Sequence, residues 1–95
     1  MSMDPQKLNQ LLRDDYLGAE ERLRVWTEAA QEALQEEETV HEDIYAMLFW
    51  AQTELYRRRA YLRLKQPDAE LQGSRALRAI ERRNREKREK EGKAP

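Results

Sequence analysis

The chain contains no cysteine. No disulfide, thiolate nucleophile or cysteine-ligated metal centre is therefore open to it. Small secreted domains commonly rely on disulfides, so this absence favours a reducing compartment, and a cytoplasmic location is expected. His41 is the only histidine. Nucleophilic catalysis needs a hydroxyl or thiol beside a base, and one imidazole with few hydroxyls gives little material for it. No glycine-rich phosphate loop is present among the three glycines. β-Branched residues are sparse: Val25, Val40, Ile44, Ile80 and Thr27, Thr39 and Thr53. Strands have little to build on. No apolar run approaches the ~18 residues that a membrane span needs. The opening "MSMDPQKLNQLL" lacks a basic stretch followed by an apolar one, so no signal peptide and no membrane partner are expected.

What is present is charge and helix formers. Of the 95 residues, 39% are charged and 39% apolar. Such a mixture with helical periodicity marks long helices or coiled coil. A chain of this length forms one domain and buries only ~60–65% of its unfolded surface, so its core is thin. The net charge of −1 conceals a division. Residues 1–50 carry 4 basic and 12 acidic side chains, net −8; residues 51–95 carry 14 basic and 7 acidic, net +7. That asymmetry implies self-complementary packing or a basic face offered to an anionic partner.

A helix is expected from Asp4, a good N-cap, and Pro5, which fits the first helical position. Leu12, Tyr16, Ala19, Leu23, Trp26, Ala30 and Ala33 then recur in steps of four and three, a heptad seam. Leu8 and Leu11 widen it. Gly18 costs ~1 kcal/mol in a helix interior, so a kink or a first helix ending near Leu17 is expected. Thr39 and Glu42 read as a capping box opening a second helix from about Val40 to about Lys65. Its seam is Ile44, Leu48, Ala51, Leu55, Arg58 and Leu62. A short turn makes the two helices antiparallel. Pro67 breaks the second helix, and Gly73–Ser74 reads as a turn before a third, "SRALRAIERRNREKREKEG". Leu77 and Ile80 are its last large apolar residues. Beyond them Glu81/Arg85, Glu86/Lys90 and Glu89/Lys93 offer i, i+4 pairs along a solvated, fraying end.

The expected fold is all-α: an antiparallel hairpin of two long helices plus a shorter basic C-terminal helix, with coiled-coil-like packing. Residues 1–80 form the core with the start of the third helix, and 81–95 a solvated basic tail.

Two chemistries need weighing. Glu38 and His41 form E-x-x-H, a spacing used in di-iron bundles, where two such motifs and further glutamates meet. One chain supplies one motif, and a Thr39 cap would split it, so neither metal nor cofactor is expected. Asp14–Asp15 and Glu20–Glu21 are acid pairs, but polar faces of amphipathic helices carry such pairs routinely. No catalytic residue is expected and the chain is not read as an enzyme.

The aromatic residues are the stronger clue. Ile44 and Leu48 lie on the seam, Tyr45, Phe49 and Tyr56 about 100° around the helix, and Met47 and Trp50 on its other flank. With Trp26 they form an apolar arc wider than one hairpin covers. Exposed patches of this kind mark interfaces. The leading expectation is a small interaction protein, an adaptor, regulator or inhibitor, that self-associates as a homodimer through the second helix. The competing reading is nucleic-acid binding through the basic half, with Arg57, Arg58, Arg59, Arg63, Arg78, Arg82, Arg83 and Arg85 as phosphate contacts and Tyr56 and Tyr61 as stacking platforms. A pI of 5.9 and the acidic first half, which can neutralise these arginines, weigh against it.

Overall fold

The computed structural model describes residues 4–36 and 39–92. These form three helices, α1 (Pro5–Gln35), α2 (Glu42–Leu62) and α3 (Asp68–Gly92), and the arrangement is all-α. Each helix packs on both others. α1 and α3 run parallel to one another and antiparallel to α2. Their ends overhang in opposite directions, which stretches the molecule to 69 × 24 × 18 Å.

α1 begins as its sequence dictates. The Asp4 carboxylate accepts from the Gln6 N–H at 3.1 Å, and Pro5 occupies the first turn. The helix then runs unbroken through Gly18. Neither a kink nor an early end is needed there. Gly18 has a helical backbone with no positive φ, and the tertiary contacts on both sides of it outweigh its low propensity.

α2 begins later than the capping box implies. His41, not Thr39, is the N-cap: its Nδ1 accepts from the Asp43 N–H at 3.1 Å. Val40, the residue after Thr39, is instead buried against the core. α2 also ends earlier than Lys65. Arg63 adopts a left-handed conformation, φ 56°, and the Leu64 N–H closes onto the Arg59 carbonyl at 3.0 Å. This is the termination usually supplied by glycine.

α3 departs most from the sequence expectation. It starts at Asp68, directly after Pro67, whose carbonyl accepts from the Glu70 N–H at 3.1 Å. Gly73 and Ser74 lie inside the helix. Gly73 is buried where the three helices cross. A Cβ there would meet Leu23 Cδ1 at 3.1 Å, Gln52 Oε1 at 3.3 Å and Thr27 Oγ1 at 3.5 Å. The glycine is present for close approach, not for a turn. The earlier start adds Ala69 and Gly73 to Ala76 and Ile80 as the buried apolar face of α3, with Leu77 packed beside it.

The core is narrow. Leu23, Leu48, Leu55 and Ile80 are its fully buried large side chains, and Ala19, Ala30, Ala51, Ala69 and Ala76 fill the rest. Each large side chain contributes ~2–3 kcal/mol by burial. The two heptad seams are the packed faces: Tyr16, Trp26, Ala33 and Ile44 sit partly buried around them.

The two interior glycines should respond oppositely to added bulk. Gly18→Ala meets only the end of the Arg22 side chain at 3.5 Å, so it should stabilise by about 0.5–1 kcal/mol. Gly73→Leu must push α3 off Leu23 and should destabilise by at least about 2 kcal/mol. Urea midpoints of the two variants against the parent check both signs.

Candidate interaction surfaces on α2 and α3

Lateral polar contacts fix the register of the helices before any outer surface is considered. Arg58 Nε reaches Asp15 Oδ2 at 2.6 Å, its Nη2 reaches Glu54 Oε1 at 3.1 Å, and Arg22 Nη2 reaches the same Glu54 oxygen at 2.6 Å. This four-residue chain runs along one edge of the α1–α2 contact. On the other side of α2, the Tyr45 hydroxyl donates to Glu81 at 2.5 Å and the Gln52 amide donates to the Ser74 hydroxyl. Bonding to the Glu81 carboxylate, with burial second, holds the Tyr45 phenol above its ordinary pKa of 10.0.

Glu70 is the exceptional charge, 3% exposed. Arg59 binds it with both arms, Nε–Oε2 2.6 Å and Nη2–Oε1 3.0 Å, and Gln66 donates to it at 3.4 Å. The guanidinium also lies 5.1 Å from the Tyr56 ring centroid. Its hydrogen bonds to Glu70 raise the Arg59 pKa above its ordinary value.

These contacts sort the candidate residues of the sequence. Leu48 is 0% exposed, so it belongs to the intramolecular core and cannot face a partner. Trp26, Ile44 and Tyr45 are partly buried against that core. Met47, Phe49, Trp50 and Tyr56 are exposed, and Trp50 the most at 61%. Phe49 and Trp50 meet edge to face at 5.9 Å, and Tyr45 and Phe49 stack at 6.4 Å. Phe49 and Tyr56 also line an apolar groove of about 250 Å³ between α2 and α3, with Leu77 on its far wall. The apolar arc therefore divides: Leu48 serves the core, while Met47, Phe49, Trp50 and Tyr56 remain on the surface.

The eight candidate arginines divide too. Arg58 and Arg59 are held by carboxylates as described. Arg83 donates to the main-chain carbonyls of Glu36 at 2.5 Å and Ala33 at 3.4 Å, capping the C-terminus of α1. Beside it Asn84 donates to the Val40 carbonyl at 3.5 Å. The first turn beyond Ile80 is thus docked on the α1–α2 corner, although Ile80 is its last apolar anchor. Arg57, Arg63, Arg78, Arg82 and Arg85 are exposed and make no ion pair with any described carboxylate. Arg75 joins Arg78, Arg82 and Arg85 at steps of three, four and three on the outer face of α3. The helical spacing of these four was visible in the sequence; the face they occupy was not.

The anticipated i, i+4 pairs of the tail do not form as drawn. Glu81 is taken by Tyr45, Glu86 makes no ion pair with Lys90 within 4 Å, and Lys93 lies outside the described residues. Nor do α3 arginines make ion pairs with acidic residues of α1 among the described residues. Among the described residues the ion pair that joins an acidic side chain of residues 1–50 to a basic one of residues 51–95 is Asp15–Arg58.

Glu38 of the E-x-x-H motif also lies outside the described residues, and His41 spends its Nδ1 on the α2 cap. Among the described residues no group of three or more His, Asp or Glu is arranged to hold a metal ion, and no helix is long and apolar enough to cross a membrane. A cleft of about 510 Å³ between the start of α2 and α3 mixes Glu42, Glu81 and Glu91 with Lys87 and Arg88 and selects neither sign of charge. Comparison of the chain with protein-family models, with curated proteins and with solved structures gives no match.

The Arg59–Glu70 pair makes a direct prediction. Arg59→Met should cost about 2–3 kcal/mol, between the values for exposed and fully buried pairs, because it strands a buried carboxylate. Replacing both residues, Arg59→Met with Glu70→Leu, should recover most of that loss in chemical denaturation.

Proposed function

We propose that this chain is a non-enzymatic helical interaction protein that self-associates through the outer face of α2, in the cytoplasm, as an adaptor, regulator or inhibitor. The observation that carries this reading is Trp50, 61% exposed, beside exposed Phe49 and Met47 on a surface otherwise rich in charge. From Ile44 to Tyr56 the only charged residue is Glu54, and Arg22 and Arg58 hold it against α1. An uncharged aromatic strip of this kind loses its contact with water when a partner covers it. Aromatic anchors dominate the energetics of such contacts.

The expected result is a mass of about twice 11.4 kDa by light scattering at ~100 µM protein. Trp50→Ala should weaken the assembly by about 2 kcal/mol. A monomer at that concentration removes the reading.

One observation favours a second reading. Arg75, Arg78, Arg82 and Arg85 form an exposed ridge along α3 without described carboxylate partners. Such a ridge suits the phosphates of a nucleic acid. The test titrates duplex and single strand at 50 and 200 mM salt with the full chain and with residues 84–95 removed. Under this reading the full chain binds with a steep salt dependence, and each lost phosphate contact lowers the log–log slope by about one unit. The truncation retains Arg83 and its carbonyl bonds, so stability should fall by no more than ~1 kcal/mol. Absence of binding at both salts leaves the ridge as a solvated helix face.

A further inference from the structure

We propose that two copies of the chain pack α2 against α2 in antiparallel orientation about a two-fold axis at Trp50, with Asp43 of each copy meeting Arg57 of the other. This rests on the self-association proposed above and adds its geometry.

Asp43, Trp50 and Arg57 are spaced seven and seven residues apart. Two helical turns take about 7.2 residues, so the three share one face. All three are exposed. The sides of that face are already defined. Glu54 and Arg58 turn towards α1, where Arg22 and Asp15 hold them, and Tyr45, Gln52 and Arg59 turn towards α3. The stripe from Asp43 to Arg57 lies between these two sides and is exposed, its Arg57 end bordering a groove shared with Leu12 and Asp15 of α1. Arg57 makes no ion pair or side-chain hydrogen bond with a described residue. The Asp43 carboxylate makes no ion pair with a described lysine or arginine; the Nδ1 of its neighbour His41 lies 3.6 Å away.

A closed pair of identical helical faces has two possible orientations. In the parallel one each residue meets its own copy. Asp43 then faces Asp43 and Arg57 faces Arg57, two like-charge contacts at the ends of an apolar strip. In the antiparallel one the axis passes through Trp50. Asp43 lies seven residues before it and Arg57 seven after, about 10.5 Å along the helix in each direction. Each Asp43 then faces an Arg57, and both like-charge contacts become ion pairs. The two tryptophans pack at the centre. Ala46 and Thr53, on the α3 side of Trp50, face one another across the axis, and their small size lets the helices approach.

The charges of α1 and α3 do not reverse this preference. Both helices stand one layer behind α2. Across such a pair their outer side chains are separated by roughly two helix diameters, ~20 Å, beyond the ~8 Å screening length at physiological salt. A single helix face is also smaller than the ~800 Å² per partner of a standard interface, so the pair should be micromolar, not nanomolar.

The absence of cysteine makes the test clean. Ala46→Cys and Thr53→Cys proteins, each checked for helicity and melting temperature, are oxidised alone and mixed at ~100 µM. The antiparallel pair gives the mixed disulfide in excess over either homodisulfide. Separately, Asp43→Arg and Arg57→Asp should each weaken the dimer about tenfold, since two attractions become two repulsions, and the double exchange should restore it. Homodisulfides of the Ala46→Cys protein in excess overturn the geometry. So does a dimer indifferent to the charge exchanges. In both cases self-association itself stands. A parent protein that remains monomeric overturns self-association and this geometry with it.

Discussion

The close approach of the three helices at Gly73 sets the dimensions of everything else. Leu23 and Thr27 from α1 and Gln52 from α2 converge on Gly73, a position of α3 without a side chain. Around this point the core is lined by alanines, with only four fully buried large residues. A core so narrow has little volume for aromatic rings. Trp26 and Tyr45 are admitted only part way, and Phe49, Trp50, Tyr56 and Tyr61 stay outside. The exposed aromatic surface of α2 is therefore the geometric counterpart of the alanine-lined interior. Close packing recovers dispersion contacts that a wider, emptier crossing would lose.

The same narrowness explains the role of the ion pairs. A thin core specifies helix rotation poorly, because small residues tolerate sliding. Polar clamps on both flanks of α2 supply what the core lacks. Asp15, Glu54, Arg58 and Arg22 lock α2 to α1, while Arg59–Glu70, Gln52–Ser74 and Tyr45–Glu81 lock it to α3. Most of these pairs are partly exposed and individually contribute little. Their value lies in register, since a shift of one residue would break all of them together. Arg83 completes the set by fastening α3 to the end of α1.

The sequence disclosed the hairpin more fully than it disclosed α3. Steps of three and four from Leu12 to Ala33 and from Ile44 to Leu62 carry a period that only a helix satisfies, and Ala19, Leu23, Ala30, Leu48, Ala51 and Leu55 are buried accordingly. The start of α3 was illegible for a physical reason. Glycine before serine has the same local signature whether it opens a turn or admits a neighbouring helix, and only the positions of Leu23 and Gln52 distinguish the two. The α2 cap was obscured similarly, because Thr39 and His41 both precede an acidic first turn and the burial of Val40 decides between them. In the candidate surfaces, residue type identified the aromatic arc and the arginines. It left open that Leu48 turns inward and that Arg58, Arg59 and Arg83 are engaged within the fold. Those assignments depend on partners distant in sequence.

The two surfaces left on the molecule lie on different helices, and this has a consequence for how they combine. The aromatic strip occupies the outer face of α2 and the arginine ridge the outer face of α3. Burying one does not bury the other. A pair formed through α2 would carry two ridges, one on each copy, at a fixed separation. If each ridge met phosphates, the second contact would be intramolecular, and the effective concentration of the second ridge would raise avidity without any new residue. Antiparallel α2 packing would place the two ridges in opposite directions along the pair, so a single polyanion would meet them in a two-fold related order. Self-association and polyanion binding would then reinforce each other, and loss of Trp50 would weaken both, although it lies on neither ridge.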